Sequence, residues 1–414
     1  MNIKKPELLA PAGDLEKLKI AINYGANAVY IAGQNLGLRA KAKNFTLTEM
    51  EQGIDFAHKN NVKVYVTANI FAHNEDFEGM GKYFLELEKI GVDAVIISDL
   101  GVFSVARDFI PNMEIHISTQ ANTTNYKSAA MWHKLGAKRI VLARELSFEE
   151  IGNIRNNVPN SLEIEAFVHG AMCISYSGRC LLSNYLTDRD SNRGACSQPC
   201  RWKYRVVEET RPNEFMPVCE DERGTYIYNS KDLCMIEYLP ELIQSGISSF
   251  KIEGRMKTPY YVGTIVRAYR DAIDSYFESA EKYEQNKMCY MQEVQKASHR
   301  NYTTGFYNNK TTKDDQIYDS SSYIRAYDFV GMVKNYDKES GIATIEQRNK
   351  FSVGDEVEFF VALPRQPFKQ TITEIYDEKN NSLKEAPHPQ QILKIKVPNE
   401  VKEFDMLRKR VDNP

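Results

Sequence analysis

The stretch Glu7–Gly33, ELLAPAGDLEKLKIAINYGANAVYIAG, contains one complete strand–helix–strand unit. Short apolar runs at Glu7–Ala10 and Ala28–Ile31 are typical of buried β-strands. Between them, Asp14 is suited to cap a helix that carries one apolar face. Near-continuous apolar strands that alternate with helices favour parallel pairing in one sheet.

The same alternation continues to about residue 280. Capping-box patterns begin two of the intervening helices, at Thr48 with Glu51 and at Ser147 with Glu150. Eight strands alternating with helices over this length predict a (β/α)8 TIM-like barrel, a fold that typically takes about 250 residues. A doubly wound open sheet is the rival fold, but we find no glycine-rich dinucleotide fingerprint to support it. The other six predicted strands are Val62–Thr67, Ala94–Ser98, Glu114–Ser118, Arg139–Ala143, Leu162–Val168 and Ser249–Ile252.

The sequence predicts two domains. Residues 1–280 form the barrel, with an insertion at 171–246 between its seventh and eighth strands. Residues 281–327 are polar and are interpreted as a helix end plus a linker. From 328 to 414, short alternating runs are separated by turn residues, which is typical of a small all-β barrel domain.

Composition narrows the class of protein. The 414 residues carry a net charge of −3, from 53 basic and 56 acidic side chains, which excludes a generally basic nucleic-acid coat. Local basic patches remain compatible with this balance. The sequence shows no signal-peptide pattern and no run of about 20 apolar residues, so we expect a cytoplasmic protein with no membrane partner.

Cysteines cluster in the predicted insertion, where four of the seven fall within 28 residues. In a chain without an export signal, clustered cysteines favour a metal site over disulfides. Four thiolates suit either a structural zinc or an iron–sulfur cluster, and the six-residue interval between the first two favours the cluster. Cys234 is an alternative to Cys200 as the fourth ligand. The candidate ligands are Cys173, Cys180, Cys196 and Cys200.

Barrel enzymes carry their chemistry at the carboxyl ends of the strands. Several residues that follow the predicted strands are cationic, which suits a substrate with more than one carboxylate or with phosphates. The alternative is that these side chains only solvate the rim. Polar residues such as Asn69 and Gln120 also follow strands. The candidate substrate-binding residues are Arg39, Arg144, Glu145, Arg255 and Lys257.

Three further residues are candidates for acid–base catalysis: His169, Glu165 and Glu253. His169 follows the seventh strand, and a structural role for its imidazole is an equal alternative. The two glutamates are candidates for a carboxylate pair, although sequence spacing alone does not fix their separation.

These stretches resemble the collagenase-like peptidase family 32, of unassigned catalytic type. EAFVHGAMCISYSGRCLLS, from Glu165, resembles the signature of that family, and SSFKIEGRMK, from Ser248, resembles its eighth-strand motif. ELLAPAGDLEKLKIAINYGANAVYIAG is similar to the family's opening. The resemblance covers nearly the whole chain, including the C-terminal domain. The motifs SQPCRWKY, GTYIYNSKDL and KIEGRMK look most like a branch of the family that modifies tRNA.

This resemblance implies hydroxylation of the tRNA wobble uridine to 5-hydroxyuridine, with prephenate, a small dicarboxylate, as co-substrate. It also implies a [4Fe-4S] cluster held by the clustered cysteines, with Cys234 where some relatives place their fourth ligand. A tRNA partner needs local positive charge and stacking aromatics. The run Arg408–Arg410 could serve the same purpose, but a solvated basic face is favoured there over an RNA contact. The candidate RNA contacts are Arg193, Arg201, Trp202 and Lys203.

Two other functions remain open. A collagenase-type peptidase follows from the family resemblance, but the sequence has no HExxH or GxSxG motif. A non-catalytic RNA-binding module with a structural zinc is the other alternative. An accessory or paralogous protein partner is also left open.

Overall fold

The computed structural model describes residues 4–34, 36, 44–172, 229–308, 316–317 and 323–411. It also describes the shorter segments 182–187, 189, 196–197, 199, 205–207 and 215–217.

Twelve described strands precede residue 255. Strands β1 to β7 pair in parallel in chain order, and β12 pairs in parallel with both β1 and β7, which closes a ring of eight. The eight-stranded barrel predicted from the sequence is therefore confirmed. The strands are β1 (Glu7–Pro11), β2 (Ala28–Ala32), β3 (Lys63–Ala68), β4 (Ala94–Ile97), β5 (Glu114–Ile117), β6 (Arg139–Val141), β7 (Glu163–Ala171), β8 (Arg205–Val207), β9 (Phe215–Pro217), β10 (Asn229–Ser230), β11 (Asp232–Cys234) and β12 (Ser249–Ile252).

Helices follow the barrel strands and cover the outside of the ring. Asp14 caps the first helix, and the Ser147–Glu150 capping box forms as predicted. The second helix begins two residues earlier than predicted, because Thr46 and Glu49 supply the capping box instead of Thr48 and Glu51. The helices are α1 (Leu15–Asn23), α2 (Leu47–Lys59), α3 (Met80–Lys89), α4 (Leu100–Phe109), α5 (Tyr126–Lys134), α6 (Phe148–Asn156), α7 (Leu182–Thr187), α8 (Leu239–Gln244), α9 (Pro259–Glu278) and α10 (Ala280–Val294).

None of the helices within the described ranges combines the length and the apolar composition required to cross a bilayer.

Strand β7 carries an irregularity at its carboxyl end. Lys251 of β12 pairs with Phe167, whereas the next residue, Ile252, pairs with His169. Val168 is therefore one extra residue in β7, a β-bulge that changes which face the following side chains occupy. Strand β11 then pairs antiparallel to β7 beyond the bulge, with Cys234 opposite His169. The predicted insertion thus returns to the barrel on the strand from which it leaves.

The stretch 281–327, interpreted from its composition as a helix end plus a linker, begins with helix α10. This helix packs along α9 and buries Tyr283, Tyr290 and Val294. Their spacing of seven and four residues places them on one helical face. The many polar residues between them hid this apolar pattern in the sequence. Strands β13 (Tyr302–Thr303) and β14 (Gln316–Ile317) follow, and β13 pairs with β11.

The C-terminal domain is an antiparallel sheet that curves into a half-barrel around its own apolar core. In β16, for example, buried residues alternate with more exposed ones, so every second side chain lies in this core. The predicted all-β domain is therefore confirmed. Its strands are β15 (Tyr327–Asp337), β16 (Ile342–Gln347), β17 (Phe351–Ser352), β18 (Glu356–Phe360), β19 (Phe368–Thr371), β20 (Ile375–Asp377), β21 (Ser382–Leu383), β22 (Glu385–Ala386), β23 (Ile392–Lys396) and β24 (Met406–Arg410).

Tight packing joins the C-terminal domain to the barrel. The Tyr24 ring stacks on Phe360, with centroids 5.3 Å apart, and its hydroxyl donates a 2.6 Å hydrogen bond to the Phe360 carbonyl. Arg408 is fully buried at this junction and binds the carboxylates of Glu293 and Glu358. The prediction of a solvated basic face was therefore wrong for Arg408, because its guanidinium is an internal ion-pair partner.

Candidate active site at the barrel mouth

A cavity of about 110 Å³ opens among the carboxyl ends of the barrel strands. Three cationic side chains, Arg144, Lys251 and Arg255, line it, together with the carboxylate-bearing Glu253 and two aromatic rings, Tyr30 and Phe167. Because this is the end at which barrel enzymes bind substrates, the cavity is the candidate active site.

Arg144 lies in the cavity wall, as predicted from its position after β6. Its guanidinium lies 4.0 Å from the centroid of the Phe167 ring, and its Nη1 donates a 2.6 Å hydrogen bond to the Ala171 carbonyl. The Nε atom is buried and has no hydrogen-bond partner among the described residues. The Ala171 carbonyl therefore fixes one side of a guanidinium that lines the cavity.

Arg255 also lines the cavity, and only 6% of its surface is exposed. Its Nη2 donates to Asn44 Oδ1 at 3.1 Å, and its Nη1 lies 3.5 Å from Thr67 Oγ1. Lys257 is placed elsewhere, with its ammonium 4.2 Å from the Tyr323 ring centroid. Of these two predicted substrate-binding cations, the structure therefore brings only Arg255 to the cavity.

Neutral polar side chains form another part of the wall. Asn69 Nδ2 donates to Ser118 Oγ at 3.1 Å and to Gln120 Oε1 at 3.0 Å, and Ser118 Oγ also donates to Gln120 Oε1. This network fixes the orientation of the side chains that end β3 and β5. Glu145 is half-buried, and burial raises the pKa of its carboxyl group. The described cavity wall does not include Glu145.

Lys251 is the cavity residue that sequence reasoning missed. It lies within β12, and its Nζ donates a 2.7 Å hydrogen bond to Glu165 Oε1. Burial lowers the pKa of its ammonium, and the carboxylate of Glu165 opposes this shift. A signal was present, because a lysine between Phe250 and Ile252 interrupts an otherwise apolar strand. The prediction considered only residues after strand ends, whereas Lys251 points inward from within one.

Glu165 belongs to a fully buried ion network inside the barrel. Its Oε2 accepts from Arg139 Nη1 at 3.0 Å, and Arg139 also binds Glu7 and Glu163. Burial by itself would raise the pKa of Glu165, but Lys251 and Arg139 outweigh burial and lower the pKa to about 2. Glu165 is therefore a permanent anion that supports Lys251.

Glu165 and Glu253 are not brought together. The Glu253 backbone N–H donates to the His169 carbonyl, which lies four residues beyond Glu165 on β7. At about 3.3 Å per residue, that spacing is roughly 13 Å along the strand. The structure therefore gives no carboxylate pair, and of the two only Glu253 lies at the mouth.

His169 lies beyond the bulge and packs among tyrosines. Its ring centroid is 5.5 Å from Tyr269, 5.4 Å from Tyr302 and 6.1 Å from Tyr261, and the Tyr269 hydroxyl lies 3.4 Å from Nδ1. Burial lowers the pKa of His169 to about 3, so its imidazole is neutral at physiological pH. This environment favours the structural alternative over acid–base catalysis.

Only part of the predicted metal site lies within the described residues. Cys196 is exposed, and Cys234 is buried on β11, where burial raises the pKa of its thiol to about 12. No three potential metal ligands gather in the part of the chain that the structure describes. The remaining predicted ligands and contacts, Cys173, Cys180, Cys200, Arg39, Arg193, Arg201, Trp202 and Lys203, lie outside the described residues.

Comparison with known proteins agrees with the motifs. Residues 13–317 match Peptidase family U32, and residues 325–408 match the Peptidase family U32 C-terminal domain. The chain is 45% identical to tRNA hydroxylation protein P1 of Bacillus subtilis (strain 168), across 98% of this chain and 95% of that protein. It is 36% identical to tRNA hydroxylation protein P of Escherichia coli (strain K12), across 96% and 95%. It is 31% identical to a collagenase of Porphyromonas gingivalis (strain ATCC BAA-308 / W83), across 86% and 87%. The resemblance found in the sequence is thus confirmed, and the chain belongs to peptidase family U32.

Proposed function

We propose that this protein is a tRNA-modifying enzyme that hydroxylates the wobble uridine to 5-hydroxyuridine, with prephenate as co-substrate. Relatives named tRNA hydroxylation protein P, at 36–45% identity over nearly the whole chain, support a role in tRNA hydroxylation. The observation that carries the choice of co-substrate is the cavity, where three cations and one carboxylate, that of Glu253, line a small space. Such a site suits a small dicarboxylate, because charge-assisted hydrogen bonds from cations hold carboxylates strongly.

The described side chains have separate roles in this proposal. Arg144 and Arg255 bind and orient the anionic co-substrate at the mouth of the barrel. Asn69 and Gln120, held by their mutual hydrogen bond, give one wall of the cavity a fixed polar surface. The wobble uridine approaches from outside the barrel, and because that base is unpaired in its loop, little energy is required to present it.

The RNA-binding residues remain predictions. Arg193, Arg201, Trp202 and Lys203 are the proposed contacts to tRNA, since cations suit phosphates and an indole suits base stacking. A tRNA substrate also agrees with the expected cytoplasmic location.

A [4Fe-4S] cluster remains part of the proposal. Its ligands would be Cys173, Cys180 and Cys196, with either Cys200 or Cys234 as the fourth. Such a cluster supplies electron-transfer chemistry when bound. Of the two alternatives, Cys234 lies on β11, the strand by which the insertion returns to the barrel.

The collagenase-type alternative has weaker support in the described site. A peptidase of the serine or cysteine type needs a nucleophile next to a base. Ser118 at the cavity is bound to Asn69 and Gln120, and His169 packs among tyrosines on the far side of the bulge. Incubation of the purified protein with gelatin and casein tests this alternative directly, since hydrolysis that Arg144→Met leaves intact would favour it.

The decisive experiment measures 5-hydroxyuridine-derived nucleosides in tRNA by mass spectrometry. The host must lack every tRNA hydroxylation protein, because Bacillus subtilis has relatives of this chain named both P1 and P2. We expect the full chain to restore these nucleosides, Arg144→Met to reduce them at least tenfold, and the exposed control Arg410→Met to match the wild type. A host that also cannot make prephenate should show no restoration. Unmodified tRNA in the complemented, prephenate-competent host would refute the proposal.

Metal analysis separates the cluster from a structural zinc. Protein purified without oxygen should contain about four irons per chain, as a [4Fe-4S] cluster requires. Cys200→Ser and Cys234→Ser, tested separately, should show iron loss in only one variant, which identifies the fourth ligand. Stoichiometric zinc in a colourless protein would instead support the zinc-stabilised RNA-binding module.

A further inference from the structure

The floor of the cavity contains a buried ammonium group whose hydrogen-bonding capacity is only partly used. Only 5% of the Lys251 surface is exposed, and its Nζ carries three N–H donors. Among the described residues, Glu165 Oε1 is the one acceptor within hydrogen-bond distance of Nζ. The Tyr30 ring, which also lines the cavity, has its centroid 4.6 Å from Nζ. Buried donors generally have partners, so this arrangement favours an anionic oxygen as the missing partner.

A second cation is held against the same part of the wall. The Phe167 ring centroid is 4.0 Å from the Arg144 guanidinium and 5.5 Å from Lys251 Nζ. Arg144 follows β6 at the mouth, whereas Lys251 lies within β12 and therefore deeper in the barrel. Arg144 Nε is also buried without a partner among the described residues. The two cations thus line one cavity at two depths.

The ion network beneath Lys251 fixes the position of its ammonium group. Glu165 binds Lys251 through one oxygen and Arg139 through the other, and Arg139 is itself held by Glu7. Arg139 also binds Glu163, so the network has two positive and three negative side chains. Because carboxylates already outnumber cations in this network, it positions Lys251 and does not require an anion for its own stability.

We propose that Lys251 is a specificity-determining residue that binds one anionic group of a small dianion at the cavity floor, while Arg144 binds the second anionic group nearer the mouth. Glu165 is a positioning residue for Lys251. This inference rests on the proposed function for the identity of the dianion, which would be the dicarboxylate co-substrate. It goes further because it names the residue that makes the protein bind dianions more tightly than monoanions.

Calorimetric titration of the full-length protein tests this inference without tRNA. The probes are prephenate, a dianion, and phenylpyruvate, a monoanion of similar size. We expect the wild type to bind prephenate more tightly. Lys251→Met should weaken prephenate binding about 10- to 100-fold, the effect expected for losing one charge-assisted hydrogen bond, and should reduce the preference for the dianion.

The matched control is Lys296→Met, which removes an ammonium that is also paired with carboxylates, those of Glu293 and Glu358, outside the cavity. It should leave both affinities within about twofold of the wild type. If Lys251→Met fails to fold, the double variant Lys251→Met/Glu165→Gln removes both charges of the pair and replaces it in the titration. Its affinity for prephenate should be weakened to the same extent.

Several outcomes would overturn the inference. They are wild-type protein that binds neither probe, equal affinity for the two probes, or a folded Lys251 variant that binds prephenate as the wild type does. Lys251-dependent binding without any tRNA hydroxylation would refute the proposed function alone. Hydroxylation in Lys251→Met with an unchanged KM for prephenate would refute the role of Lys251 alone.

Discussion

Replacing Arg408 with methionine should loosen the junction between the barrel and the C-terminal domain. The Arg408 guanidinium binds Glu293 at 2.5 and 3.1 Å and Glu358 at 2.7 and 3.2 Å, and it lies 4.3 Å from the Phe360 ring centroid. Glu293 comes from α10 of the barrel and Glu358 from β18 of the C-terminal domain. A single side chain therefore joins carboxylates from both domains.

The magnitude follows from what remains after the substitution. Removing one partner of a buried ion pair costs about 3–5 kcal/mol, because the other charge stays buried. Lys296 lies 2.9 Å from Glu293 and 3.6 Å from Glu358 and would compensate part of the lost charge. We therefore expect about 3 kcal/mol, at the lower end of that range. At about 2.1 cal/mol/K per residue, cooperative unfolding of the 414-residue chain has an entropy of about 0.9 kcal/mol/K, so Tm should fall by about 3–4 °C.

Differential scanning calorimetry and urea unfolding measure this loss. The exposed Arg410→Met is the matched control and should change stability by less than about 0.5 kcal/mol. A triple variant that also converts Glu293 and Glu358 to glutamine should recover much of the loss, because no unpaired carboxylate stays buried and the ammonium of Lys296 is partly exposed to water. If Arg408→Met is as stable as the wild type but binds tRNA more weakly, Arg408 is a surface contact and the reasoning fails.

Two further perturbations test the barrel. Because the pKa of Glu165 is lowered from 4.5 to about 2, its ionised form should contribute about 3 kcal/mol of stability that is present above pH 4.5 and lost as the pH falls towards 2. Urea unfolding at several pH values should show this loss. In Glu165→Gln the free energy of unfolding should depend less on pH between 4.5 and 2. An equally steep loss in the variant would contradict the attribution of this loss to Glu165. Gly170→Ala should lower stability by about 1–3 kcal/mol, because φ is +114° and the new Cβ would lie 2.6 Å from the Glu253 carbonyl oxygen. Gly152→Ala, on α6 with open space around it, should instead stabilise the protein by about 0.5–1 kcal/mol in the same thermal unfolding assay, and equal effects of the two substitutions would refute the steric argument.

The barrel could be predicted because its signals are local. Each strand is a short apolar run, and the predicted bounds Ser249–Ile252 match β12 residue for residue. The start of α2 was harder to predict, because TLTEME offers two overlapping capping boxes, Thr46 with Glu49 and Thr48 with Glu51. Local sequence shows that a helix begins there but does not choose between two equivalent frames.

The site was harder to predict because it depends on where each side chain points and on contacts between residues that are distant in sequence. Arg144 and Arg255 were found by the rule that barrel chemistry follows strand ends, whereas Lys251 was missed because it lies within a strand. Glu165 was noticed as a charge but was given a catalytic role, since nothing local reveals its contact with Arg139, 26 residues away in sequence. Arg408 illustrates the same limit, because its carboxylate partners lie 50 and 115 residues away.

Because β7 has one extra residue, the same strand contributes side chains to two separate spaces. Before Val168 the strand contributes Glu165 and Phe167 to the barrel interior, and after it the strand contributes His169 to the tyrosine-lined space beside β11. The cysteine-bearing insertion begins directly beyond that second segment. Phe167 in the cavity wall and His169 among the tyrosines are therefore two residues apart on one backbone, with Val168 between them.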